Sequence, residues 1–100
     1  MPCYALIGHD APGSLELRKQ HRDAHLANLR ALDEAGRMRH AGPLLDDSGA
    51  PCGSVVIFEA ESLQAAQAFA AADAYVTAGI FERYEVRETR IVFPAESPSG

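Results

Sequence analysis

The chain is 100 residues long, enough for one domain with a thin core. Hydrophobic residues make up 47% and charged residues 23%, the composition of a soluble globular protein, which excludes disorder for the body of the chain. Nine basic residues against fourteen acidic ones give a net charge of −5, which argues against a nucleic-acid partner and against an anionic membrane surface.

Residues 3–9 are apolar on both alternating faces, with Cys3, Ala5 and Ile7 on one and Tyr4 and Leu6 on the other. That pattern predicts a first strand covered on two sides. Pro12 and Gly13 mark a loop. Ser14 stands as N-cap of a helix running to about residue 35, where Gly36 ends it. A short second strand over residues 38–45 is interrupted by Gly42-Pro43, which suggests an edge or a bulge. Residues 46–53 read as a turn and residues 54–60 as a third strand. Ser62 caps an alanine-rich helix over residues 63–72. A turn or extra helical turn over 73–79 follows, then a last strand within residues 80–93. The expected organisation is a single domain over residues 1–94 and a mobile tail over 95–100.

The order strand, helix, strand, strand, helix, strand is the split pattern of a ferredoxin-like α+β fold with an antiparallel sheet. Helices cover one face of such a sheet, and the strands are apolar on the other face too. A second copy packed sheet to sheet, making a homodimer, is the simplest cover.

Cys3 and Cys52 lie far apart and in no CxxC arrangement, so reduced thiols are expected. The N-terminal residues do not form a basic segment followed by a long apolar run, so no signal peptide is expected. No stretch approaches the ~18 apolar residues that span a bilayer. A cytoplasmic protein is the reading that follows.

The first helix carries the informative feature. At about 100° per residue from Leu15, the stripe of Leu26, Leu29 and Leu32 covers an arc from about 260° to about 20°. Arg18, Arg22 and His25 fall inside that same arc, at about 300°, 340° and 280°. Burying two guanidinium groups without partners is costly. A cavity holding carboxylates, water or an anionic ligand is the cheaper arrangement. A neutral imidazole can take a proton, and a carboxylate on its other nitrogen orients the ring.

Four segments carry a resemblance: Ser14-Leu-Glu-Leu-Arg18, Arg22-Asp-Ala-His25-Leu26, Ala41-Gly42-Pro43 and Ala72-Asp73-Ala-Tyr75-Val-Thr-Ala-Gly79. In order and spacing they resemble the motifs of the YciI-like (YCII-related) proteins, from the first strand to Phe93. The resemblance implies a dimeric α/β-barrel of ferredoxin-like subunits. It also implies a catalytic pair, His25 as general base and Asp73 as its orienting partner, with Ser14, Arg18 and Arg22 as pocket neighbours. In one departure, Ala74 stands where the family often has proline between the aspartate and the tyrosine. Tyr75 either lines the pocket or simply packs, and Ser14 either caps the helix or binds substrate.

His21 and His25 have the i,i+4 spacing of a metal pair, but His-Arg-Asp-Ala-His lacks the glutamate of the metalloprotease motif. No metal and no cofactor are expected. Two function classes stay open. One is a cofactor-independent enzyme acting on a small organic acid or ring-derived, anionic substrate, for which the resemblance implies a lyase of the dehydrochlorinase kind or an isomerase. The other is a non-catalytic small-ligand-binding or accessory dimer.

Overall fold

The computed structural model describes residues 1–95, so the tail expected over 95–100 lies outside the described residues from 96 onward. The elements are β1 (Cys3–Asp10), α1 (Leu15–Glu34), β2 (Met38–Leu45), β3 (Pro51–Glu59), α2 (Leu63–Ala71), α3 (Ala74–Thr77) and β4 (Phe81–Thr89). The strands form one antiparallel sheet in the order β2-β3-β1-β4. This is the ferredoxin-like α+β arrangement, with the single-turn α3 added between α2 and β4.

The register divides the sheet into two faces, because side chains alternate along each strand. Tyr4 pairs with Phe58 and Leu6 with Val56. These four side chains are buried under the helices together with Leu29, Ala66 and Ala70. The opposite face carries rungs of Val55–Ile7–Glu85 and Ile57–Ala5–Arg87 across the three inner and edge strands. It is apolar along β1 and β3 and charged along β4.

Helix α1 is built from strong helix formers, mainly Leu, Ala, Arg and Glu. Gly36, at φ 73°, ends it: its amide bonds the Asp33 carbonyl while the Arg37 amide reaches back to Leu32. Helix α3 ends the same way at Gly79, also φ 73°, with the Ile80 amide on the Tyr75 carbonyl. That stop turns the chain so that Ile80 and Phe81 pack beneath Tyr75.

Several boundaries move. Gly42-Pro43 does not interrupt β2, which is continuous at the sheet edge, where a residue without an N–H costs least. Pro51 to Gly53, expected as turn, pair with Leu45 and Leu44 and begin β3. The last strand, Phe81–Thr89, lies within the expected residues 80–93. Among the described residues no helix is long and apolar enough to cross a membrane. Cys3 and Cys52 are free thiols.

Candidate functional site

A cavity of about 470 Å³ opens between α1 and the β2–β3 end of the sheet. That size falls within the ~300–1,000 Å³ usual for small-molecule sites. Leu26, Leu29, Pro43 and Val56 give it an apolar floor, and Arg18, Arg22, His25 and Tyr75 its polar side.

His25 comes from α1 and Asp73 from the N-cap of α3, forty-eight positions along the chain. His25 Nδ1 lies 2.8 Å from one Asp73 carboxylate oxygen and 3.0 Å from the other. Asn28 Nδ2 donates to the same carboxylate at 3.0 Å, and the Tyr75 amide donates to it at 2.9 Å. Burial pushes the Asp73 carboxyl up, but these hydrogen bonds and the charge of His25 outweigh it and hold the group below its ordinary value. Asp73 is therefore an ionised acceptor with no exposed surface. An ionised carboxylate can only accept, so Nδ1 carries the proton and the lone pair of the neutral ring sits on Nε2.

Tyr75 fixes the ring from its face. The two rings stack at 3.8 Å and within 6° of parallel. The Arg18 guanidinium lies 4.9 Å from the Tyr75 ring centre, and Phe81 meets the tyrosine edge-on. The Tyr75 hydroxyl donates to the Arg18 carbonyl at 3.3 Å. Burial raises the Tyr75 phenol, while the positive charges of Arg18 and Arg22 hold it back.

The two arginines have different surroundings. Arg18 is buried, and its Nε and Nη2 grip both carboxylate oxygens of Asp10. The same Nη2 also donates to the Gly53 carbonyl at 2.7 Å and to Ser54 Oγ at 3.1 Å. The helical stripe placed Arg22 among the leucines, but it is exposed, at the mouth of the cavity. Leu15, the reference of that stripe, is also 46% exposed.

Ser14 holds the N-cap position, yet its hydroxyl makes no cap bond and instead donates to the Ala11 carbonyl at 2.6 Å. Its ψ of 2° is the reason, since a capping serine needs an extended backbone. Ser14 does not line the cavity. Among the described residues no three His, Cys, Asp or Glu side chains gather as metal ligands would. A second hollow, of about 570 Å³, lies between the N-terminus and residues 88–91, remote from these side chains.

The YCII-related domain matches residues 3–90. The chain belongs to the YCII-related family. Protein YciI of Escherichia coli O6:H1 (strain CFT073) is 46% identical over 96 residues, covering 90% of this chain and 98% of its own. The 5-chloro-2-hydroxyhydroquinone dehydrochlorinase of Burkholderia phenoliruptrix AC1100, solved in complex with 2,5-dihydroxybenzoquinone, superposes with a TM-score of 0.79 at 31% identity. The match covers 88% of this chain and 93% of that one. A NIPSNAP domain protein from Burkholderia xenovorans, at 18% identity and TM-score 0.53, shares the fold across 97% of this chain and 100% of its own.

Two residues of this YCII-related site were not singled out from sequence. Asn28 stands three positions after His25, on the same helix face, and holds the second oxygen of Asp73. Asp10, at the end of β1, neutralises Arg18. The signal for Asn28 was its i,i+3 spacing. Nothing local marked Asp10, which meets Arg18 only once β1 and α1 are packed.

Proposed function

We propose that the chain is a small acid–base enzyme in which His25 Nε2 takes a proton from a bound substrate and Asp73 orients the ring. One observation carries the reading: Nδ1 is committed to an ionised, fully buried carboxylate, and the ring lines a cavity of substrate size. In an elimination, the electron pair left by the proton forms a double bond and the leaving group departs with its own pair. In an isomerisation, the imidazolium returns the proton to a different carbon. The dehydrochlorinase relative supports the first as the chemistry to try, on a small ring-derived substrate or organic acid. No step in either route requires a cofactor.

A second copy on the open sheet face is the partner we propose. Apolar Ala5, Ile7, Val55 and Ile57 form its centre, and the alternating charges of Arg83, Glu85 and Arg87 can meet their counterparts across a two-fold axis. Light scattering at micromolar concentration should give twice the mass of the chain.

The catalytic test is chloride release from 5-chloro-2-hydroxyhydroquinone and proton exchange in small lactone acids. Wild type should accelerate one of them, and His25→Gln should abolish it. Binding without turnover, unchanged in His25→Gln, would favour a ligand-binding module instead.

A further inference from the structure

The charge of the cavity wall is opposite to that of the chain. The protein carries fourteen acidic residues against nine basic ones. Yet Arg18, Lys19 and Arg22 all line the cavity, and among the described residues no aspartate or glutamate does. The carboxylates stand behind the wall: Asp10 behind Arg18 and Asp73 behind His25.

That placement divides the three cations by what is left of their charge. Arg18 is neutralised by a bidentate pair and further tied to Gly53 and Ser54, so its Nε and Nη2 donors are engaged inside the protein. Lys19 is set apart by its carboxylate partner, Glu16 at 3.4 Å, which meets its charge on the outer surface of the helix. Among the described residues no carboxylate engages Arg22. Its planar fork of donors is suited to a carboxylate or enolate. Its charge reaches into the site, since it is felt at the Tyr75 phenol.

We infer that the cavity binds a small organic anion with an apolar body, and that Arg22, not Arg18, is the residue that reads its charge. The inference deepens the acid–base reading and rests on the same cavity. Arg22 and His25 are three positions apart on one helix, so their Cβ atoms lie ~5–6 Å apart. The anionic oxygen and the proton taken by Nε2 therefore sit within the span of one small ring or an equally short chain. A proton removed at that distance leaves negative charge where a guanidinium stabilises it.

The test uses two probes built on one ring: 2,5-dihydroxybenzoquinone, which is ionised at neutral pH, and its uncharged dimethyl ether. Calorimetric titration of wild type should show the anion bound at least tenfold more tightly than the ether. Arg22→Gln should remove that preference while leaving the ether's affinity and the melting temperature unchanged, and Arg22→Lys should restore part of it. Arg30→Gln, which removes a charge on α1 outside the cavity wall, should change neither affinity. Equal affinities in wild type, no binding of the anion, or an Arg22→Gln variant that keeps its preference would each overturn the inference. The acid–base reading fails separately: a wild type that prefers the anion through Arg22 yet turns over no substrate would refute that reading alone.

Discussion

The two helices that cover the sheet treat it in opposite ways. Helix α2 meets the strands through Ala66 and Ala70, both without exposed surface, and sets Phe69 against Phe58 at 4.8 Å between ring centres. Small side chains let the backbones approach, and nothing is left between them. The first four turns of α1 instead bury an arginine and a histidine, with Leu29 as the one buried apolar residue of the helix. Long polar side chains need partners and room, so α1 stands over a cavity where α2 closes a core. One layer thus supplies stability at one end and chemistry at the other.

If that division is right, breaking the α2 end should cost stability and spare the site. Phe58→Ala removes a ring with no exposed surface and should destabilise the fold by about 3–5 kcal/mol, read by denaturant unfolding. At temperatures where the variant stays folded, ligand affinity at the cavity should be that of wild type. The α1 end has its own buried element in the Arg18–Asp10 pair. Arg18→Met leaves Asp10 buried and unpaired, at a cost of about 3–5 kcal/mol. Adding Asp10→Asn should recover most of that loss, because the double variant no longer holds an uncompensated charge. A double variant as unstable as the single one would show that Arg18 acts through packing alone.

Asp73→Asn sharpens the same contrast with a smaller effect on stability and a larger one on chemistry. Activity should fall about 100-fold or more, since the His25 ring loses the charge that orients it. The stability cost should be about 1–3 kcal/mol near neutral pH. Its pH dependence has a definite sign. The folded Asp73 carboxyl lies below its unfolded value, so its contribution is present above pH ~4 and is lost as pH falls through the folded value. Unfolding free energies of wild type and Asp73→Asn should therefore converge in acid. A constant difference down to pH 2 would mean that the charge of Asp73 is not what the fold uses.

Much of this was legible because helical and strand periodicities are local. The element order, the alternating faces of β1 and β3, and the placing of Arg18 and His25 in the buried stripe all follow from spacing alone. What failed needed distances between elements. Arg22 lies inside the stripe by angle, yet it is exposed, because α1 there faces the cavity and not a packed layer. Pro51 to Gly53 carry turn residues, and their strand conformation comes from pairing with β2. Ala74, standing where the family often has proline, does not leave Asp73 free: three hydrogen bonds fix the carboxylate, and only the one from Tyr75 is local.

The smallest effect separates two serines that look alike in sequence, each placed to begin a helix. Ser62 has an extended backbone and accepts the Ala65 amide at 3.1 Å, so Ser62→Ala should cost about 1 kcal/mol. Ser14 holds the matching position on α1, but its hydroxyl turns back to donate to the Ala11 carbonyl. The Ala11 residue is partly exposed, so water can replace the lost donor, and Ser14→Ala should cost less than about 1 kcal/mol. Because Ser14 lies outside the cavity wall, the same variant should keep its ligand affinity and its turnover. Parallel melts and titrations of the two alanine variants would read both effects. A Ser14→Ala protein that melts like wild type yet loses tenfold in turnover would return that hydroxyl to the site and move the boundary of the reactive end of α1 by one turn.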